Sequence, residues 1–140
     1  MLKNVPACIP PELMKTMMIM GHGDALILVD ADFPAETCGK RVIRADGIGL
    51  VELASAILQF YPLDTYVENP AAIMAPVGDA VVPEALILTK ERIKNVFTEF
   101  DEYEYIERFS FYERAKSAFV IVATGETDGN LILQKGVVNL

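Results

Sequence analysis

Met20-Gly21-His22-Gly23-Asp24-Ala25-Leu26-Ile27-Leu28-Val29-Asp30 is the stretch from which the fold is read. Its Ala25 to Val29 portion is an unbroken apolar run, as expected of a β-strand buried on both faces inside an α/β layer structure. The only histidine of the chain stands just ahead of that run, between two glycines, and a carboxylate, Asp24, follows two residues later. A second carboxylate, Asp30, closes the run. Glycine on either side lets the backbone take positive φ or approach a ligand closely, so the imidazole can stand bare at a surface. An imidazole titrates near about pH 6.5, and no other side chain gives and takes protons as readily at neutral pH.

Working outward, Pro10-Pro11-Glu12 opens a helix that runs to Met20. Proline suits the first turn, Glu12 complements the helix dipole, and Gly21 is a ready stop. Leu13, Met17 and Met20, with Met14 and Met18, have helical spacing and form adaptable core or interface. After Asp30, a loop through Phe33-Pro34-Ala35 leads to a short strand over Arg41 to Arg44 and a turn at Asp46-Gly47. Leu50, Leu53, Ala54, Ile57 and Leu58 mark an amphipathic helix that ends near Tyr61-Pro62. Ala71 to Val77 reads as a second buried strand. Pro83-Glu84 starts a helix with Leu86, Ile93, Val96, Phe97 and Phe100 inward. Tyr103 to Arg108 alternates like a strand with one wet face. Ser110-Phe111-Tyr112-Glu113 fits a capping box, and Ala118 to Ala123 and Leu131 to Leu133 are further apolar strands. Strands and helices alternate throughout, so the expected fold is α/β: residues 1–140 as one domain, with a largely parallel or mixed sheet flanked by helices.

The chain has 140 residues, enough for one domain with a proper core. Apolar residues make up 52 % of it, and the mean hydropathy is +0.31. No apolar run reaches the ~18 residues of a membrane span, so the excess is expected at a subunit interface. A net charge of −8 disfavours nucleic acid and anionic membranes as partners. The opening Met1 to Pro6 lacks the charged and apolar regions of a signal peptide, and the expectation is a cytoplasmic protein with Cys8 and Cys38 as free thiols.

Several segments, in order and nearly end to end, resemble the D-ribose pyranase / L-fucose mutarotase family (RbsD/FucU), and its fucose branch more than its ribose branch. They are Pro11-Glu12-Leu13, Met20-Gly21-His22-Gly23-Asp24, Asp30-Ala31 with Phe33-Pro34-Ala35, and Val42-Ile43-Arg44-Ala45-Asp46-Gly47. Arg108-Phe109 with Phe111-Tyr112-Glu113-Arg114-Ala115, Thr124-Gly125-Glu126, Gly129-Asn130 and Lys135-Gly136-Val137 complete the set. The resemblance implies an enzyme that interconverts anomers or ring forms of a free monosaccharide, such as L-fucose, with neither cofactor nor metal. It implies His22 as proton donor, Asp30 and Arg108 as sugar contacts, and Asn130 as the asparagine of the family's Tyr-x-Asn element. It also implies a ring-shaped homo-oligomer such as a decamer. Where family members commonly place that tyrosine, this chain has Asp128, and the loop from Gly125 is shorter. Either Tyr112 or an aromatic of a neighbouring subunit supplies the sugar platform, or the sugar differs. A sugar-binding protein without turnover and a ribose-type pyranase are the alternative readings.

Mutarotation needs one proton delivered to the ring oxygen and one removed from the anomeric hydroxyl, work that an imidazole and a carboxylate or water can share. Asp24 is the expected partner that orients His22. Geometry adds a constraint. Eight residues of extended chain between His22 and Asp30 would span ~26 Å, far too much for one sugar. Either the Gly23-Asp24 turn folds back sharply, or one subunit supplies His22 and another supplies Asp30. The site is therefore expected at a subunit boundary.

Overall fold

The apolar run becomes strand β1 (Ala25–Val29), with Leu26 to Val29 all buried. Side chains of a strand alternate between faces, and here the two faces go to two separate cores. Leu26 and Leu28 join a cluster of 26 buried residues, while Ile27 and Val29 join a second cluster of 13. The computed structural model describes residues 1–140.

In chain order the elements are α1 (Pro11–Ile19), β1, α2 (Ala35–Cys38), β2 (Val42–Ala45), α3 (Leu50–Ile57) and β3 (Ala71–Met74). They continue with α4 (Glu84–Val96), β4 (Glu104–Ile106), α5 (Arg108–Ser117), β5 (Val120–Thr124) and β6 (Leu131–Gln134). The six strands form one mixed sheet in the order β2-β5-β1-β6-β3-β4. Strand β6 alone runs against its neighbours β1 and β3, whereas β1, β5 and β2 pair in parallel, as do β3 and β4. Leu13 and Met17 of α1, Leu50, Leu53 and Ile57 of α3, and Leu86 and Ile93 of α4 cover one face of the sheet. Cys38 of α2 and Phe111 and Ala115 of α5 cover the other, with Phe33 edge-on to Phe111 at 5.9 Å between ring centroids. The result is the layered α/β fold with a mixed, helix-flanked sheet that the strand–helix alternation predicts. No helix is long and apolar enough to cross a membrane.

Local expectations need correcting in four places. The loop after Asp30 contains the short helix α2, whose Ala35 and Cys38 are drawn into the smaller core. Strand β3 stops at Met74, the Ala75 N–H making one last bond to the Ile106 carbonyl of β4 before Pro76, which has no N–H to continue the ladder. Helix α5 starts three residues earlier than a cap at Ser110 would allow. Glu107 is its cap, and its carboxylate accepts from the Phe109 and Ser110 N–H groups at 3.0 Å each. Arg108 therefore belongs to the first turn of α5 and not to a strand. On β4 the period-2 pattern holds only in part, since Tyr105 is exposed beside exposed Glu104 on this edge strand.

Candidate active site

The two ends of β1 carry two different polar clusters. At the amino end, the turn between α1 and β1 presents His22, with Gly23 at φ 88°, a conformation that favours glycine. The His22 side chain is 43 % exposed, and its Nε2 lies 3.0 Å from Oδ1 of Asp64, a carboxylate only 2 % exposed. The segment before β3 delivers Asp64 by pairing with the end of β6: Leu63 bridges Lys135, and the Asp64 N–H donates to the Gln134 carbonyl at 3.0 Å. Asp64 Oδ1 also accepts the Tyr66 N–H at 2.9 Å, and its Oδ2 accepts the Gln134 amide at 3.0 Å. Burial pushes the Asp64 carboxyl upward, but the Tyr66 N–H, the His22 ring and the Gln134 amide outweigh it, and the group is held below its ordinary range. The Tyr66 ring leans over the imidazole, with centroids 5.2 Å apart and planes inclined by 54°.

Asp24 does not orient the imidazole. Its Oδ2 accepts the Gly21 N–H at 2.7 Å, so this carboxylate closes the turn that carries His22. Asp64 takes the place expected of it. The Asp64–Tyr66 contact is an Asx turn that the local sequence hints at, but the approach to a ring 42 positions away leaves no local signal.

At the carboxyl end, Asp30 and Asn130 form a closed pair. The Asp30 N–H donates to Asn130 Oδ1 at 3.0 Å, and Asn130 Nδ2 returns a bond to Asp30 Oδ2 at 3.2 Å. Oδ2 also accepts the Gly129 N–H, and Oδ1 the Asp32 N–H, each at 3.2 Å. Burial raises the Asp30 pKa against the pull of these donors, and the neighbouring Asp128 charge adds to the rise. Asp128, Gly129 and Asn130 line a cavity of about 240 Å³ with Met74, Val77, Val81 and Leu86. That is smaller than the ~300–1,000 Å³ of drug-sized pockets, and no aromatic side chain lines it.

Arg108 starts α5 just past the carboxyl end of edge strand β4, at the same end of the sheet as Asp30 although three strands away from β1. Its Nε donates to the Tyr112 hydroxyl one turn on at 2.9 Å. Tyr112 packs edge-on to Phe33 and lines a different cleft, with Pro34, Cys38 and Phe109. The structure thus joins Asp30 to Asn130 beside Asp128, and Arg108 to Tyr112, and sets His22 apart from all of them.

The separation is built into the sheet. Five residues of β1 at ~3.3 Å each run about 16 Å, and antiparallel β6 spans the same length with Asn130 at one end and Gln134 at the other. The chain reverses tightly over His22 and Gly23, with the Asp24 N–H on the Gly21 carbonyl at 3.2 Å, but the turn keeps the imidazole at the amino end of β1 against Asp64. Hydrogen bonds from Gly23 N–H to the Lys135 carbonyl and from Lys135 N–H to the Asp24 carbonyl, both 2.8 Å, carry the β1–β6 ladder outward.

The RbsD / FucU transport protein family matches residues 3–138. This chain belongs to the RbsD/FucU family. Within it, the chain is 48 % identical to the fucose mutarotase of Homo sapiens, over 99 % of this chain and 96 % of that protein. It is 46 % identical to the L-fucose mutarotase of Actinobacillus pleuropneumoniae, over 98 % and 97 % respectively. Among solved structures, the fucose mutarotase of Streptococcus pneumoniae in complex with L-fucose superposes with a TM-score of 0.93 at 42 % identity, over 99 % of this chain and all of that one. Bacillus subtilis RbsD complexed with D-ribose shares the RbsD/FucU fold at a TM-score of 0.69 and 22 % identity, covering 99 % of this chain and all of that one.

Proposed function

We propose that this protein is an L-fucose mutarotase whose sugar is shared between His22 of one protomer and the Asp30–Asn130 pair of another. The observation that carries the reading is the open imidazole. The chain's only histidine is well exposed, is held on one side by a buried carboxylate, and sits in a chain 48 % identical to a fucose mutarotase. In the reaction, the anomeric hydroxyl gives up its proton as the ring oxygen gains one. The bond from C1 to the ring oxygen breaks, and C1 becomes an aldehyde carbon. Rotation about C1–C2 and the reverse transfers close the other anomer, with no net proton consumed. His22 and a water or carboxylate share these two transfers, and general acid–base catalysis of ~10²–10⁴-fold is enough for a step already modest in water. Asp30 accepts from sugar hydroxyls, and Asn130 and Arg108 donate to them.

The sharing between chains follows from length. No single chain brings His22 within reach of a sugar seated against Asn130, and apolar residues flank both half-sites. Met18 and Ile19 stand exposed at the end of α1 just before His22, and Val77 and Val81 stand exposed on the wall of the cavity that Asn130 lines. These are surfaces suited to a second copy of the chain in a ring-shaped assembly.

A sugar-binding protein without turnover is the second reading, favoured by Asp128 and the aromatic-free cavity wall. Saturation-transfer NMR on equilibrated L-fucose separates the two. A mutarotase speeds exchange between the α and β signals and His22→Ala abolishes the effect, whereas a binder only broadens them. Sharing is tested by co-refolding His22→Ala with Asp30→Asn. Each variant alone is inactive, and the mixture regains activity because some boundaries combine an intact His22 with an intact Asp30. A mixture as inactive as its components would refute the shared site.

A further inference from the structure

A ring with two nitrogens can work through either one, and here the two differ. Nε2 is engaged by Asp64 at 3.0 Å, whereas Nδ1 meets no hydrogen-bonding group of the chain. Asp64 itself has no freedom to turn away. Its two oxygens also hold the Tyr66 N–H and the Gln134 amide, and the carboxylate is 2 % exposed. An ionised carboxylate can only accept, so the proton of a neutral ring must lie on the nitrogen that faces it. The other groups near the ring do not compete. Asp24, on the same turn, faces the Gly21 N–H; Lys135, from the end of β6, points its Nζ at the Gly136 carbonyl; Tyr66 offers its ring face.

We propose that Asp64 is a positioning residue that accepts the Nε2 proton, fixes the neutral imidazole as the Nε2–H tautomer, and leaves Nδ1 as the atom that exchanges protons with the sugar. The choice of nitrogen rests on the mutarotase reading for what the ring acts upon. The tautomer and the fixed orientation do not depend on it. Asp64 has a further consequence for the working ring: when Nδ1 takes a proton from the anomeric hydroxyl, the imidazolium that forms is already paired with a buried anion.

The test uses the intact protein labelled with ¹⁵N-histidine, which yields the signals of one ring because the chain has one histidine. With the ring neutral, the wild type should show a protonated, pyrrole-like Nε2 and an unprotonated, pyridine-like Nδ1. In Asp64→Asn the amide can donate as well as accept, so the ring should become a tautomer mixture. The rate of fucose anomer exchange, kcat, should fall by ~10-fold or more, within the total that acid–base catalysis supplies, while KM stays within about twofold. A wild-type ring protonated on Nδ1, or an Asp64→Asn protein with unchanged kcat, overturns the proposal. The wild-type spectrum needs no variant, so poor folding of Asp64→Asn does not shield it. A wild type that shows the Nε2–H tautomer but fails to speed fucose exchange would sink the mutarotase reading and uphold the hold of Asp64 on the ring.

Discussion

Replacing Asn130 with alanine removes both halves of the pair that ties β6 to the end of β1. The Asp30 N–H loses its acceptor at 3.0 Å, and the Asp30 carboxylate loses a donor at 3.2 Å. A neutral hydrogen bond contributes about 1 kcal/mol net and one to a charged group about 1.5–3 kcal/mol, which together give about 2.5–4 kcal/mol. Water reaches half-buried Asp30 and replaces part of the charged bond, so the expected loss is about 2–3 kcal/mol. The pH dependence has a definite sign. Burial, reinforced by the Asp128 charge, holds the folded Asp30 pKa above its ordinary value despite its donors. The folded carboxyl thus binds its proton more tightly than the unfolded one, and acidification favours the native state at this site. Loss of the Asn130 donor raises that pKa further, so the deficit of the variant should shrink as pH falls from 7 towards about 4. Urea unfolding of both proteins at the two pH values measures it, at one protomer concentration because assembly adds to apparent stability, and with equal m-values as the control. A loss under ~0.5 kcal/mol at pH 7, or a deficit that grows on acidification, would refute this account of the pair.

Gly125→Ala should lower the thermal midpoint clearly, because a β-carbon there would overlap the Asp46 carbonyl oxygen and neither backbone can give way. A cost of about 1–3 kcal/mol is the usual scale of such overpacking, and an unchanged melting curve would contradict the close approach. Asp64 predicts an acid limb of opposite sign to that of Asp30. Its folded pKa lies below the ordinary value near 3.8, so its contribution is present above that pH and lost as pH falls through the lower folded value. Urea midpoints measured from pH 5 downward should fall less steeply for Asp64→Asn than for the wild type, and parallel curves would count against it.

Much of the fold is legible because burial writes it into single segments. Ala25–Val29 and Val120–Thr124 are apolar at every position but one, since helices cover both their faces, and that pattern alone separates them from half-exposed strands. Short elements are harder to read. Helix α2 is a single turn, and Glu107 caps α5 in place of the apparent signal at Ser110 because only the fold decides which acidic side chain meets the free N–H groups. At the candidate site, the sequence exposes His22 through its glycines and Asp30 through the end of the apolar run. It conceals Asp64 and Gln134, whose meeting with His22 depends on a bridge between Leu63 and Lys135. The sequence also raises the question that the sheet answers. Strand β1 separates His22 from Asp30, and the turn before it holds the imidazole at the amino end of the strand.

Strand β6 sets different rules for insertions and deletions on its two sides. Asn130 and Gln134 bracket four consecutive ladder positions, Leu131 to Gln134, each in register with β1. Adding or dropping one residue there would flip every following side chain to the opposite face and pull Gln134 away from Asp64. The turn from Gly125 to Gly129 lies outside the ladder, tied at Gly125 and Glu126 to Ile48, Ala31 and Leu50 and at Gly129 to Asp30, which leaves Thr127 and Asp128 as the positions where its length can change. Descendants of this chain can therefore reshape the cavity rim at Thr127 and Asp128, while the spacing between the His22 and Asn130 ends of the sheet stays frozen.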